Sequence, residues 1–227
     1  MKKVLFGGIL ISLMAVSCSK DDGDDAPVAD AFLNTASGST WTYETTDNAN
    51  PGPPQPYTLT STNRDTTIGS RSYHVYTNSS TAASEYNNRT GNDYYRYQAL
   101  PDELGGGKVE ELYLKSAASV NASWTQTNTL TVPGVPIPLT ITNVNKIVEK
   151  AVSRTVNGTV YNNVTHVKTD VSIGGLPPGT ISLTTDINQY YAPNFGMIES
   201  NVKINVDVLG TVQTTDVSTK LKTATLL

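Results

Sequence analysis

The chain has 227 residues, with 16 Lys and Arg against 20 Asp and Glu, one cysteine and two histidines. One cysteine excludes a disulfide framework and a cysteine-rich zinc site, and a net charge of −4 excludes the basic surface of a nucleic-acid binder. The 32 threonines and 21 valines are β-formers, which excludes a coiled coil and points to sheet.

The chain opens with Lys2 and Lys3, followed by an apolar run from Val4 to Val16. That run, about 13 residues, is too short to span a bilayer but suits the hydrophobic region of a secretory signal. It ends in Ala15-Val16-Ser17-Cys18. Small residues just before a cysteine resemble the lipobox of bacterial lipoproteins. The resemblance implies a signal peptide over 1–17, cleavage before Cys18, a diacylglycerol on its thiol and a third fatty chain, such as palmitate, on the new amino terminus. Removing 17 of 227 residues leaves 210, and losing two lysines changes the charge to 14 − 20 = −6. Two or more fatty chains make a membrane anchor effectively stable.

Cys18 begins a tether over 18–31. Ser19, Lys20, Asp21, Asp22, Asp24 and Asp25 carry like charge at a density that resists compaction. They resemble the acidic export signal of Bacteroidetes-type surface lipoproteins, which implies an outer-membrane protein facing the cell surface. A calcium loop needs a Glu at its twelfth position. Counting from Asp21 that position is Phe32, so no metal is expected.

The remainder, 32–227, reads as a single antiparallel β domain. Thr165, Val167, Thr169, Val171 and Ile173 alternate with polar residues, as do Ile181, Leu183, Thr185 and Ile187, and then Ile198, Val202, Ile204, Val206 and Val208. Period-2 patterning predicts strands with one buried and one solvated face. Val167, Val171, Ile181, Leu183, Ile187, Val202, Ile204 and Val206 are expected in one core. His166, Lys168, Asp186, Glu199, Lys203 and Asp207 are expected in solvent. Asn157-Gly158 reads as a tight hairpin, and Gly174-Gly175 and Pro177-Pro178-Gly179 as linkers. No window sustains a helical period. The sheet must therefore curl on itself or pack on a second one, giving a half-barrel, barrel or sandwich of about 10–12 strands.

A weak repeat accompanies this. Trp41-Thr42 precedes a P-G-x-P-x-P-x-T-x-T segment from Pro51, and Trp124-Thr125 precedes another from Pro133. Tyr94-Tyr95 and Tyr190-Tyr191 follow at comparable points, the spacing drifting from about 82 to about 96 residues. Two similar halves, 32–116 and 117–227, would account for it. The segments GSTWTY (38–43), YYRY (94–97) and YYAPNFGMIES (190–200) are similar to a pattern in uncharacterised bacterial lipoproteins. That resemblance implies a strongly curved antiparallel sheet, like the half-barrel of lipoprotein carriers, and brings no catalytic residues.

Catalytic signatures are sparse. There is no G-x-S-x-G elbow, no histidine pair at zinc spacing and no phosphate loop around Gly105-Gly106-Gly107. The adjacent pairs Asp102-Glu103 and Glu110-Glu111 would point to opposite faces of a strand, unlike the convergent carboxylates of a glycosidase. His74 and His166 read as structural. No catalytic residue and no cofactor is expected. Nine of the 12 tyrosines lie in the first half. Trp41, Tyr43, Tyr73, Tyr94 and Tyr95 are the candidate ligand platform, suited to stacking on a glycan or a small apolar ligand. Asp65-Thr66-Thr67 resembles a short O-glycosylation acceptor of the same bacterial group. The reading is a lipid-anchored, non-enzymatic binding module. The alternatives are an accessory subunit of an outer-membrane assembly and a glycan-acting enzyme.

Overall fold

The computed structural model describes residues 31–99, 108–131, 138–175, 177, 179–208 and 210–227. The expected signal peptide, Cys18, the expected acidic tether up to residue 30, Asp102-Glu103 and Gly105-Gly106-Gly107 lie outside these.

Twelve strands follow in chain order: β1 (Thr40–Asp47), β2 (Gln55–Ile68), β3 (Arg71–Asn78), β4 (Ser84–Thr90), β5 (Asp93–Ala99), β6 (Lys108–Lys115), β7 (Ser123–Leu130), β8 (Leu139–Val156), β9 (Thr159–Gly174), β10 (Ile181–Ala192), β11 (Gly196–Val208) and β12 (Thr211–Thr225). They form one sheet in the order β6-β5-β4-β3-β2-β1-β12-β11-β10-β9-β8-β7, every pairing antiparallel. Strands adjacent in sequence pair, except β6 with β7, and the first strand pairs with the last. The sheet curls into a nearly closed barrel whose two edges, β6 and β7, meet at a seam. No ladder joins them. Instead the Trp124 indole N–H donates to the Leu112 carbonyl at 2.8 Å, the Leu112 N–H donates to the Gln126 side-chain oxygen at 2.9 Å, and the Gln126 amide donates to the Glu110 carbonyl. Edge groups that would otherwise template another strand are thus satisfied by side chains.

The turn chemistry follows the sequence. Asn157 and Gly158 both take positive φ, 48° and 82°, as a two-residue turn of this hand requires. Gly175 has φ 94°, and a Cβ there would sit 2.5 Å from the Pro138 carbonyl oxygen, so only glycine fits. Three register shifts in β8, between Ile147 and Arg154, bend the β8–β9 hairpin over the barrel. Its tip is tied by the Asn157 side chain, which donates to the Leu221 carbonyl at 2.9 Å.

The core has two clusters. One gathers Trp41, Tyr43, Tyr76, Val156, Tyr161, Val164, Ile198 and Leu221; the other gathers Phe32, Tyr94, Tyr113, Leu114, Trp124, Ile147, Val167 and Tyr191. Leu33 and Met197 pack against both.

The predicted meander of 164–208 is present as β9–β10–β11, in the predicted register sense. The predicted core is not. Val167 is fully buried, but Val171, Ile181, Leu183, Ile187, Val202, Ile204 and Val206 are only half-buried. They share one face of long strands that run beyond both core clusters. Two residues expected in solvent are buried. His166 stacks on Tyr190 at 4.3 Å, and Glu199 receives the Arg154 guanidinium at 2.7 Å. The folded-over end of β8 brings Arg154 and Glu149 onto this outer face, which alternation alone leaves open.

The two tryptophans of the weak repeat occupy the second position of β1 and of β7, each the first of six strands. Tyr94-Tyr95 and Tyr190-Tyr191 fall on β5 and β10, which are not equivalent by a six-strand shift.

Candidate functional site

A cavity of about 110 Å³ lies between the two core clusters. Its apolar walls include Trp41 and Tyr43 of β1, Tyr57 of β2, Tyr76 of β3, Tyr113 of β6 and Tyr191 of β10. Two ring pairs frame it: Tyr43 on Tyr57 at 5.2 Å and Tyr113 on Tyr191 at 5.4 Å, both stacked. Their hydroxyls are engaged from behind. Tyr43 donates to the Met197 carbonyl at 2.9 Å, Tyr76 to the Asn34 carbonyl at 2.6 Å and Tyr191 to Gln189 at 2.9 Å. The rings are thereby fixed. Burial pushes the phenols of Tyr43, Tyr57, Tyr76, Tyr113 and Tyr191 above their usual value, so they stay neutral.

Three polar side chains also face this space: Glu85 and Asn87 of β4 and Arg96 of β5. Arg96 donates through Nε to Glu111 at 2.7 Å. Burial works against the Arg96 charge, but Glu111 more than offsets it and holds the guanidinium protonated. Glu85 accepts from the Asn78 amide at 2.7 Å. Glu111 already neutralises Arg96, and Glu85 is negative, so the lining holds no excess positive charge. The Trp41 indole nitrogen is buried and has no hydrogen-bond partner among the described residues. An unpaired buried N–H costs about 1–3 kcal/mol, a cost the packed core carries at this position.

Of the predicted platform, Trp41 and Tyr43 line the cavity. Tyr94 is buried in the second cluster, where its hydroxyl accepts from the Phe32 N–H at 3.1 Å. Tyr73 and Tyr95 have opposite parity to His74 and Arg96 and lie on the outer face. There Tyr73 donates to Glu110, and the Arg71 guanidinium sits 3.5 Å over the Tyr95 ring. The sequence reading missed Tyr57, Tyr76, Tyr113, Tyr191, Asn87 and Arg96. The barrel closure that brings β10 and β6 to β1 has no local signature.

Beside this cavity, His74 bridges two partners. Its Nδ1 lies 2.7 Å from Asp65 and its Nε2 lies 2.8 Å from the Ser61 hydroxyl. The connectivity matches that of a hydrolytic triad. Ser61, however, is 1% exposed, so no substrate carbonyl can reach its hydroxyl in this arrangement. The chain spans the irregularity between Ser61 and Asp65 in β2 and fastens that bulge to β3. Among the described residues no three of His, Cys, Asp and Glu gather where they could hold a metal ion.

The fold class defined here is a twelve-stranded antiparallel meander, curled and shut by a side-chain seam. No family model matches the chain, and no curated protein matches it. Among solved structures the chain is similar to a candidate lipoprotein from Parabacteroides distasonis ATCC 8503, known at 2.70 Å, with a TM-score of 0.52 and 12% identity. The match covers 87% of this chain and 99% of that one. At this identity the likeness is one of fold.

Proposed function

We propose that the protein is a lipid-anchored binding module of the outer membrane, displayed at the cell surface, which takes one neutral sugar ring in the aromatic cavity. The observation that carries the sugar reading is a ring-sized space walled by fixed aromatic rings, with the amide of Asn87, which has no side-chain hydrogen bond to another described residue, at its edge. A cavity of about 150 Å³ holds one benzene ring, so about 110 Å³ takes no more than one ring-sized group. A purely apolar ring would leave the Asn87 amide and the Arg96 N–H groups other than Nε, which Glu111 holds, unmatched. A pyranose offers both a C–H face to the tyrosines and hydroxyls to those groups. A lining without excess positive charge disfavours an anion. The anchor reading is supported by the Ala15-Val16-Ser17-Cys18 lipobox, by the acidic residues after it, and by the description of the structural neighbour as a candidate lipoprotein.

The test of the site is a fluorescence titration, since Trp41 is one of only two tryptophans. Methyl glycosides of glucose, galactose, mannose and N-acetylglucosamine serve as probes. At least one is expected to shift the emission saturably, and Tyr57→Ala and Asn87→Ala to weaken it at least fivefold. Silence from all four, with the fold intact by circular dichroism, overturns the sugar reading. The test of the anchor is palmitate labelling. Cys18→Ala is expected to lose the label and leave the membrane fraction. Added protease is expected to remove the unaltered protein from intact cells but not a variant with alanine at Asp21, Asp22, Asp24 and Asp25.

A further inference from the structure

The aromatic cavity shares a wall with a second, larger opening of about 400 Å³. The shared residues are Leu33, from the segment leading into β1, and Asn87 of β4. Beyond them the character changes. The second chamber contributes Ser72, Asn88 and Arg89 rather than rings, with the Asp65–His74 pair at its side.

The register of the sheet explains why the two chambers are continuous. Asp65 is paired with His74, His74 with Asn87, Asn87 with Arg96 and Arg96 with Glu111. Directly opposed residues in antiparallel strands project from the same face. The five therefore form one polar row running across β2 to β6, perpendicular to the strands, from the second chamber into the first. Strands lie about 4.8 Å apart, so His74 and Arg96 are separated by roughly 9–10 Å, the length of two linked pyranose rings. Within the row the ends are already matched, Asp65 with His74 and Arg96 with Glu111. Asn87, in the middle, has no side-chain hydrogen bond to another described residue. Its amide can donate and accept at the boundary between the chambers.

Building on the sugar reading of the aromatic cavity, we propose that the ligand is a linear neutral oligosaccharide of at least two units, lying across the strands. Its terminal ring occupies the aromatic cavity and its second ring the polar chamber. Asn87 meets the ligand near the linkage, and Leu33 sets the spacing between the two rings. Along the row Arg96 is matched by Glu111 and Asp65 adds a carboxylate, so no excess positive charge selects an acidic sugar.

The experiment compares each of the four methyl glycosides with its 1,4-linked disaccharide, by the same titration, on the full chain after removal of the signal peptide. For a glycoside that binds, the disaccharide is expected to bind roughly tenfold more tightly, a gain of about 1.4 kcal/mol. Ser72→Ala and Arg89→Ala are expected to abolish that gain and leave the single-ring affinity unchanged. Equal affinity for one ring and two overturns the two-chamber inference and leaves the single-ring reading standing. A gain that survives both substitutions also overturns it. Absence of binding by every probe overturns both readings together.

Discussion

Trp124 donates its indole N–H to the backbone carbonyl of Leu112 at 2.8 Å, across a seam where two sheet edges meet without a ladder. Gln126 completes the arrangement by accepting from the Leu112 N–H and donating to the Glu110 carbonyl. The strand edge of β6 is therefore capped by two side chains of β7. Trp124→Phe keeps most of the ring but leaves the Leu112 carbonyl unpaired, at a cost of about 1–3 kcal/mol. Trp124→Ala also removes the packing of a residue in the second core cluster, and about 3–5 kcal/mol is expected. Urea unfolding measures both. Hydrogen exchange supplies the local readout: Gln126→Ala should speed exchange of the Leu112 amide more than that of its neighbours on β6.

Glu199 is buried, and its partner Arg154 also stacks at 3.3 Å over the Tyr190 ring. Burial alone would raise the Glu199 carboxyl. Hydrogen bonds from Arg154 and Asn201, with the charges of Arg154 and Lys220, hold it below its usual value of 4.5. A lowered folded-state value contributes stability that is present above the unfolded value and lost as pH falls through the folded one. Stability should therefore decline below about pH 4.5, and Glu199→Gln should flatten that part of the profile. Arg154→Met removes the largest of the effects that oppose burial and leaves Asn201 and Lys220, so the decline should begin at higher pH. Denaturant midpoints collected across the acid range decide it. An unchanged profile in Arg154→Met would show that the pair is not what holds the carboxylate.

Five buried phenols produce the opposite limit. Tyr43, Tyr57, Tyr76, Tyr113 and Tyr191 are all shifted upward from 10.0, with burial the leading cause in each. A raised value favours the folded state below the unfolded value, and that advantage is lost as pH rises beyond it. Above about pH 10 the unfolded chain gains by ionising and the folded chain does not. Phenolate absorbance should therefore appear in two stages, exposed tyrosines first and the buried set together with loss of the sheet signal. A smooth single titration with the sheet intact would mean the cavity walls are wetter than their burial indicates.

How far the fold could be read from sequence depended on the range of the signal. Alternation at 165–173, 181–187 and 198–208 located three strands, and Asn157-Gly158 located their preceding turn, because both signals are local. The pairing of β1 with β12 and the meeting of β6 with β7 are contacts between distant segments with no composition of their own. The aromatic cavity depends on those contacts: Tyr191 reaches Tyr113 only because the barrel closes. Parity also failed where the backbone departs from regularity. The shifts in β8 fold Arg154 onto Glu199 and cover His166, so residues correctly placed on the outer face are nevertheless buried. Of the proposed platform, Trp41 and Tyr43 reached the cavity, whereas Tyr73 and Tyr95 fell on the other face because neighbouring strand residues point opposite ways.

The half-buried aliphatic row gives the sharpest test of where the core ends. Ile198 is 0% exposed and packs with Trp41, Tyr43 and Leu221, whereas Ile204, six residues on along β11, is only half-buried. Both are isoleucines on one strand, so β-propensity and unfolded-state effects are closely matched, and the difference isolates packing. Ile198→Ala should cost about 2–5 kcal/mol, the range for a truncation that leaves a cavity. Ile204→Ala removes atoms with solvent already on one side, and about 1 kcal/mol is expected. Lys203→Ala, on the opposite and exposed face, should fall within about 0.5 kcal/mol of neutral. Chemical denaturation of the three variants ranks them directly. Equal losses at Ile198 and Ile204 would mean that the apolar face of β9–β12 is covered by another layer in solution, and the core would then extend the full length of the long strands.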